Sequence, residues 1–336
     1  MKPISLISNA EEKNVVLSVV VPYYNETDVL PEFHARLTNV LDSIDDESEI
    51  VYVNDGSTDG SKELVESLPV SSSKVVRINL SRNFGKENAM SAGLEHCAGL
   101  AVILIDADLQ DPPELIPSML KEWRKGYDVV NMQRIKREGE SWFKRKSAAM
   151  FYRLLNFLSK SDIPQNVGDF RLLSRQVVDH INAMPERNRY MKGMFVWPGF
   201  KQTTIIFNRN ARHSGQTKWN YFKLIGLAMD GITSFSVSPL RIASVLGCLI
   251  TASAFFYGMD IIFKDLFFGV KTHGYASMMT VEMALGGIQL LSIGLLGEYL
   301  GRIFIETKRR PLYIVQSIQE QSNVKSMQPT VVEKRA

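Results

Sequence analysis

Short apolar runs that alternate with longer amphipathic segments constrain the fold of the first 235 residues more than any other feature. Strands buried on both faces of a sheet give continuous apolar runs, and intervening helices are typical of a mostly parallel α/β sheet. The pattern therefore predicts a Rossmann-like sheet, whose ligands bind beyond the carboxyl ends of the strands. The predicted strands are Val16–Val21, Glu49–Val53, Val75–Asn79 and Leu100–Ile105, and the clearest predicted helices are Thr27–Leu41 and Glu87–Leu94.

The character of the chain changes after residue 235, where two long apolar runs appear. Ile242–Met259 contains no charged residue, and Met283–Gly297 is bounded by Glu282 and Glu298. A helix rises about 1.5 Å per residue, so roughly 20 residues cross a bilayer. The runs predict two transmembrane helices, and the alternative is a pair of helices buried in the protein core.

Basic residues on either side of these runs predict their orientation. Arg302, Lys308, Arg309 and Arg310 follow the second run and Lys223 and Arg241 precede the first, whereas the loop between them holds only two lysines. The positive-inside rule then places both termini in the cytoplasm. The predicted division is a cytoplasmic α/β unit over residues 1–235 that includes amphipathic juxtamembrane helices, a two-helix anchor over 236–305 and a partly disordered cytoplasmic tail over 306–336.

Composition excludes several classes of protein. A net charge of +3, with 22% charged and 45% hydrophobic residues, describes an ordinary folded protein, so no nucleic-acid partner is expected. Cys97 and Cys248 lie far apart without CxxC or Cys/His neighbours. They are therefore interpreted as small apolar residues in a reducing compartment. The N-terminus has no apolar segment typical of a signal peptide, so the membrane anchor is expected elsewhere.

The stretch "AVILIDADLQDPPELI" places four carboxylates directly after a predicted buried strand. Asp106 and Asp108 are two residues apart, and such close charges repel each other unless a cation lies between them. Hard oxygen ligands at a strand end suit Mg²⁺ or Mn²⁺ with a substrate diphosphate, and Gln110 adds a neutral oxygen. The competing interpretation is a solvated turn.

The other two acids of this stretch suggest helix capping. Asp111 precedes Pro112, and Glu114 follows two residues later, an arrangement typical of an N-cap and a capping box. Acidic side chains also suit the positive end of a helix dipole. Asp111 and Glu114 are therefore predicted to support the loop and not to bind a ligand.

Two further strand ends carry polar side chains that admit two interpretations. In "VVVPYYNETDVL", Glu26 could hold a nucleoside, while Asn25 or Thr27 could simply cap the next helix. In "EIVYVNDGSTDGSKELV", Asp55 could accept a hydrogen bond from a base, although Asp-Gly turns are common, and Ser57 or Asp59 could cap the next helix.

Three later segments carry charges that also admit two interpretations. Asp169 lies in a Gly-Asp-Phe-Arg turn, where it could serve only as a helix cap. Trp142–Asn156 is a basic amphipathic segment, and Arg209–Leu224 gathers basic residues around Gly215 just before the first apolar run. Both basic segments could form a lipid-facing surface, or they could bind the phosphate of a lipid.

Taken in order, the motifs resemble family 2 glycosyltransferases with the GT-A fold, and among them the polyprenyl-phosphate glycosyltransferases. The resemblance is strongest to the bactoprenol glucosyl transferases of O-antigen modification and covers roughly residues 15–315. The motifs that carry it are "VVPYYNE", "NDGSTDGS", "NFGKENA", "DADLQDPPE", "VGDFRLL", "SGQTKW" and "LLGEYLGRIFIETKRRPLY". The QxxRW signature of processive polysaccharide synthases is absent from the sequence, which argues against a polymerising enzyme.

The resemblance implies a role for each matched residue. The nucleoside would be held by Pro22, Tyr24, Glu26 and Asp55, with Lys86 and Asp106 near the nucleotide, and the metal and diphosphate would be bound by Asp106, Asp108 and Gln110. Asp169 would be the candidate base, and Asp108 would be the second catalytic residue. The acceptor phosphate would be bound by Arg134, Arg145, Lys146, Arg212 and Lys218. Relatives often have Ser followed by Lys or Arg where this chain has Ala148 and Ala149, so the acceptor role of that basic helix is less well supported.

The implied reaction is inverting transfer of a hexose, with glucose the first choice, from a UDP-sugar to undecaprenyl phosphate, with Mg²⁺ or Mn²⁺. The implied setting is the cytoplasmic membrane of a bacterium, with the lipid bilayer as a partner and a homo-oligomer, such as a tetramer, as the assembly. The alternatives are another sugar (an aminoarabinose derivative, GlcNAc, or mannose from GDP-mannose) and a non-catalytic membrane scaffold. A transporter is disfavoured because two spans per chain cannot enclose a pathway without oligomerising.

Overall fold

The structure is a computed structural model of the chain, and it describes residues 15–134, 167–187, 189–207, 238–268 and 274–322. Seven strands from residues 1–235, the catalytic unit, and one strand from residues 315–321 form one eight-stranded sheet with helices on both faces. The strands are β1 Leu17–Tyr23, β2 Ser48–Asn54, β3 Lys74–Leu80, β4 Ala101–Leu104, β5 Val129–Arg134, β6 Val167–Ser174, β7 Gln202–Phe207 and β8 Val315–Gln321. All four predicted strands are confirmed within two residues at each end.

The sheet has the strand order β7-β5-β6-β4-β1-β2-β3-β8. The neighbours β1/β2, β1/β4, β2/β3 and β5/β7 run parallel, whereas β6 runs antiparallel to β4 and β5. The predicted mostly parallel α/β sheet is therefore confirmed. Because β1, β2 and β4 are parallel neighbours, their carboxyl ends meet at one edge of the sheet, which is where this class of fold binds ligands.

Two hydrophobic layers cover the two faces of the sheet. The helices are α1 Leu30–Asp42, α2 Ser61–Ser67, α3 Lys86–His96, α4 Ile116–Arg124, α5 Arg175–Ala183, α6 Met191–Met194, α7 Ser238–Phe268 and α8 Tyr275–Lys308. Val19 and Val21 of β1 pack in the layer with α1 and α4, and Val20 packs in the opposite layer with α3 and α5. Because successive strand residues point to opposite faces, burial on both faces explains why β1 is an unbroken apolar run.

The predicted caps of α1 are wrong, because the side chains involved join two loops instead. The residue before α1 is Val29, and its side chain makes no capping hydrogen bond. Thr27 Oγ1 donates to Asp59 Oδ2 at 2.6 Å, and Asn25 Oδ1 accepts the backbone N–H of Thr58 at 2.9 Å. These hydrogen bonds hold the loop after β1 against the loop after β2. Asp59 also accepts the N–H of Ser61, the first residue of α2.

The segment after the second long helix returns to the catalytic sheet. β8 runs antiparallel to β3 from Val315↔Leu80 to Gln321↔Val75, and Arg77 of β3 donates to the Gln321 side chain at 2.9 Å. The structure therefore places one strand of the sheet within the segment that the predicted division calls a tail. The part of the tail that is predicted to be disordered, after Val324, lies wholly outside the described residues.

The two apolar runs lie within the two long helices α7 and α8. Ala284–Lys308 is long and apolar enough to cross a membrane, with a mean hydropathy of 1.4, and Val245–Ile261 is a shorter apolar stretch of α7. Large side chains on both helices are exposed, for example Phe256 at 70% and Leu290 at 71%. The alternative of two helices buried in the protein core is therefore wrong for the part of the chain that the structure describes.

Candidate functional site

A cavity of about 400 Å³ opens at the carboxyl ends of β1, β2 and β4. Its lining residues are Pro22, Tyr23, Tyr24, Glu26, Asp55, Asn83, Gly85, Lys86, Ala89, Asp106, Ala107 and Asp108. All six residues predicted to hold the nucleotide are therefore brought together, and Asp108 joins them. Asn83, in the loop between β3 and α3, also lines the cavity; it begins the motif "NFGKENA", but the sequence analysis gave it no role.

Lys86 joins two carboxylates from different strands. Its Nζ donates to Asp106 Oδ2 at 2.7 Å, beyond the end of β4, and to Asp169 Oδ2 at 2.5 Å, within β6. The Asp106 and Asp169 side chains are only 23% and 16% exposed. Two such poorly hydrated carboxylates repel each other, and one ammonium group between them offsets that repulsion.

The charges of this cluster shift the ionisation of all three groups. Burial lowers the pKa of Lys86, but the charges of Asp106 and Asp169 outweigh it and raise that pKa above the ordinary lysine value. Burial raises the pKa of Asp106, with Lys86 opposing it and Asp169 adding to it. Burial alone would raise the pKa of Asp169, but the positive charges of Lys86, Lys192 and Arg171, together with the hydrogen bond from Lys86, outweigh it and lower that pKa to about 2. Lys86 is therefore held protonated and Asp169 is held ionised.

Asp106 and Asp108 offer a divalent cation two carboxylates in the same cavity. The donor chemistry fits Mg²⁺ or Mn²⁺, which take oxygen ligands and complete their shell with waters and substrate phosphates. Among the described residues, no three His, Cys, Asp or Glu side chains form a cluster that could hold a metal alone. The set therefore fits a cation that is bound together with its substrate.

Gln110 does not join this pair, although it was predicted as a metal ligand. Its side chain is buried, it does not line the cavity, and its Nε2 has no hydrogen-bond partner among the described residues. Its backbone N–H instead donates to Asp108 Oδ1 at 3.1 Å. The intervening Leu109 has a φ of +58°, a strained conformation for a branched side chain of the kind that clusters at functional sites.

The capping prediction for Asp111 and Glu114 is wrong. Pro113–Leu115 forms a short 3₁₀ turn before α4, and neither turn nor helix has a side-chain cap. Asp111 is fully buried and pairs with Arg134 at 3.0 Å, whereas Glu114 forms a two-pronged hydrogen bond with Arg36 of α1 at 2.9 Å. Both acids therefore do stabilise the loop, but through ion pairs with residues distant in sequence.

The ion pair with Asp111 gives Arg134 a structural role, which is an alternative to its predicted acceptor role. Burial raises the pKa of Asp111 to about 6, although the charge of Arg134 lowers it. We expect Arg134→Met to lower the free energy of unfolding by about 2–3 kcal/mol, because it leaves Asp111 buried without a counter-charge. Denaturant unfolding of the full-length protein measures this loss.

A second substitution distinguishes the structural role of Arg134 from the acceptor role. Adding Asp111→Asn to Arg134→Met removes the buried Asp111 charge that has lost its partner, so most of the lost stability should return. The KM for the lipid acceptor should change little in either variant. A raised acceptor KM without any loss of stability in Arg134→Met would contradict the structural role and favour direct contact with the acceptor.

Asp55 organises the loop that leads to Lys86. Its Oδ1 accepts the N–H of Phe84 at 2.7 Å and its Oδ2 accepts the N–H of Gly85 at 3.0 Å. The adjacent Gly56 has a φ of +70°, and a Cβ there would lie 2.5 Å from the carbonyl carbon of Arg82, so only glycine fits. The predicted contact of Asp55 with a base stays a prediction. It is compatible with the two observed hydrogen bonds, because each carboxylate oxygen can accept a further one.

Glu87 is a partly buried acid near the site that the sequence did not single out. It follows Lys86 in α3 and accepts the N–H of Met191, at the start of α6, at 3.0 Å. Burial, followed by the charge of Asp169, raises the pKa of Glu87 to about 7. The contact with α6 joins residues more than 100 positions apart and has no local signature.

Four residues predicted to bind the acceptor phosphate cannot be placed relative to the cavity. Arg145, Lys146, Arg212 and Lys218 lie outside the described residues, as do the basic segments Trp142–Asn156 and Arg209–Leu224. Their roles stay predictions from the sequence.

Comparison with known proteins agrees with this fold and site. Residues 18–181 match the family model described as glycosyl transferase family 2, and residues 238–303 match the one described as a GtrB C-terminal hairpin. The chain is 48% identical over 305 residues to an uncharacterized glycosyltransferase of Synechocystis sp., covering 90% of this chain and 96% of that protein.

Two relatives carry more specific names. A prophage bactoprenol glucosyl transferase homolog of Escherichia coli is 45% identical over 304 residues, which cover 90% of this chain and 99% of that one. The bactoprenol glucosyl transferase of Shigella phage SfX is 44% identical over 301 residues, with 90% and 99% covered. The chain therefore belongs to glycosyl transferase family 2, and it is an enzyme of the glycosyltransferase class.

Proposed function

We propose that this protein transfers glucose from UDP-glucose to undecaprenyl phosphate, a polyprenyl phosphate of the bactoprenol type. The observation that carries the proposal is similarity along 90% of the chain, at 44–45% identity, to relatives named bactoprenol glucosyl transferases. That similarity spans both the catalytic sheet and the helical hairpin. A lipid-linked acceptor also agrees with the exposed apolar helices of this chain.

We further propose that α7 and α8 both span the cytoplasmic membrane of a bacterium. Ala284–Lys308 has the length and composition of a span, and the match of residues 238–303 to a helical hairpin model supports treating the two helices as a pair. The basic residues after α8 favour a cytoplasmic position for that end, so the catalytic unit and both termini would face the cytoplasm. The resemblance also supports a homo-oligomer.

Different residues of the cavity would bind different parts of the UDP-sugar donor. Pro22, Tyr24, Glu26 and Asp55 would surround the nucleoside, and Lys86 would approach the diphosphate. Asp106 and Asp108 would hold Mg²⁺ or Mn²⁺, which when bound supplies positive charge that stabilises the leaving diphosphate. Lys86 would add a further positive charge at the same place, because its ammonium group already lies beside Asp106.

Asp169 is better suited to orienting a substrate than to removing a proton. The positive charges around Asp169, of which Lys86 contributes most, lower its pKa to about 2, so this carboxylate is a weak base near neutral pH. The acceptor phosphate has a second pKa of about 6 and is already ionised. Asp169 Oδ1 is buried without a hydrogen-bond partner among the described residues, and it could accept from a sugar hydroxyl.

The bond changes of the proposed reaction need no other reactant. An oxygen of the acceptor phosphate would form a bond to the anomeric carbon of glucose while the bond from that carbon to UDP breaks, with inversion. The electron pair of the broken bond leaves with UDP. The products are UDP and a polyprenyl phosphate glucose.

The test is a panel of labelled nucleotide sugars added to membranes that hold the full-length protein, with and without undecaprenyl phosphate. UDP-glucose should move its label into the organic phase only when the lipid is present. Labelling from UDP-GlcNAc, a UDP-aminoarabinose derivative or GDP-mannose would contradict the choice of sugar. Absence of both labelled lipid and released nucleotide with every sugar would favour the non-catalytic scaffold.

A further inference from the structure

A second cavity lies where the cytoplasmic end of α8 meets the catalytic unit. It measures about 230 Å³, and three of its lining side chains are basic: Arg187, Lys308 and Arg310. Phe304 and Ile305, which are 58% and 56% exposed on the last turns of α8, supply an apolar wall. The cavity thus combines cationic groups with apolar surface that continues onto a long exposed helix.

The three cations lack carboxylate partners. Within the ranges the structure describes, none of Arg187, Lys308 and Arg310 forms a salt bridge. Arg187 donates from its guanidinium to the backbone carbonyl of Arg310, and Lys308 Nζ lies 4.0 Å from the centre of the Phe304 ring. The Glu306 carboxylate also lies at this end of α8, where it accepts the backbone N–H of Arg187 at 2.7 Å. Three positive charges that line one cavity beside a single carboxylate repel each other, and a bound anion would relieve that repulsion.

The helix dipole does not account for this cluster. Cations in the last turn of a helix complement its negative end, and that explains Lys308, the last residue of α8. Arg310 lies beyond the helix, and Arg187 comes from the segment between α5 and α6. A cluster assembled from separate segments around a cavity is better explained by a ligand with negative charge.

We propose that this cavity binds the phosphate of an anionic phospholipid of the bilayer, and that this lipid holds the catalytic unit against the membrane. The cations suit the phosphate group, and Phe304 and Ile305 suit the beginning of the acyl chains. The inference rests on the membrane placement of α7 and α8 proposed above, because only that placement brings lipid headgroups to the end of α8.

This lipid site is separate from the catalytic cavity. Asn88 of α3 lines the second cavity, whereas Lys86 and Ala89 of the same helix line the first. Successive residues of a helix are about 100° apart around its axis, so Asn88, two residues after Lys86, points to the opposite side of α3. A headgroup beside Asn88 would therefore touch the first turn of α3 from outside the catalytic cavity, and it would not be the reacting acceptor.

The experiment compares full-length protein in nanodiscs that contain phosphatidylglycerol and phosphatidylcholine, with retained lipid measured by native mass spectrometry. The wild type should retain phosphatidylglycerol preferentially. Lys308→Gln and Arg310→Gln should each weaken this retention about fivefold, the equivalent of about 1 kcal/mol per removed charge. The matched control is Lys264→Gln at the other end of the hairpin, where the lysine pairs with Asp260, and it should retain the lipid as the wild type does.

The possible outcomes separate the lipid site from the membrane placement. Equal retention of both lipids by the wild type, or an equal loss in Lys264→Gln, would overturn the lipid site. If inorganic phosphate alone displaced the retained phosphatidylglycerol, the cavity would be a site for free anions. That result would overturn the proposal that it binds a lipid. Carbonate extraction of membranes tests the placement separately, and release of the protein would overturn both proposals.

Discussion

Asp108→Asn should reduce turnover about 10³-fold while the protein still folds and inserts in the membrane. Asp108 lines the catalytic cavity beside Asp106, and an amide at this position keeps the shape but removes a negative charge. Loss of the cation that stabilises the leaving diphosphate is expected to cost several kcal/mol of transition-state energy, and about 4 kcal/mol corresponds to this factor. The measurement is transfer of labelled glucose to undecaprenyl phosphate by purified protein.

Glu114→Gln is the matched control for Asp108→Asn. It makes the same chemical change six residues further along the chain, at an acid that pairs with Arg36 and lies 50% exposed outside the cavity. Surface ion pairs contribute little, so its activity should remain within about twofold of the wild type. Near-normal activity of Asp108→Asn over a range of Mg²⁺ and Mn²⁺ concentrations would contradict the metal assignment.

The sequence predicted the sheet well because its determinants are local. Each of the strands β1 to β4 is a run of apolar residues, because both faces of these strands are buried. The polar residues that follow each run mark the carboxyl end of the strand. Parallel strands bring those ends to one edge, so Asp55 and Asp106 could be expected in a common site before any coordinates. Both of these residues line the observed cavity.

The pairing of side chains across long stretches of sequence was not predictable. Asp111 has the local signature of a helix cap, yet it pairs with Arg134, which reaches it only because β5 ends beside the loop after β4. β8 is weakly apolar and lies more than 230 residues beyond its partner β3, so periodicity alone suggested a tail. In both cases the observed structure depends on contacts between residues far apart in sequence, and the local sequence pattern does not predict such contacts.

Lys86 is the group whose replacement tests how the cluster controls ionisation. Lys86→Met should lower activity near pH 7 about 10²-fold, because it removes the positive charge that lies beside the expected position of the diphosphate. Lys86→Arg keeps a positive charge and should retain more activity than Lys86→Met. Equal losses in both variants would point to a packing role for the lysine side chain.

The pH dependence of kcat/KM gives a readout that loss of packing alone would not move. Lys86 lies between Asp106 and Asp169 and favours their ionised forms, so its removal should raise the pKa of both carboxylates. A carboxylate with a higher pKa becomes protonated at a higher pH, so the acidic limb of the profile should move upward in Lys86→Met and stay near its wild-type position in Lys86→Arg. If the acidic limb of Lys86→Met coincided with that of the wild type, then Asp106 and Asp169 would not limit the rate through their charge, and the cluster would serve only to hold β4 and β6 in position.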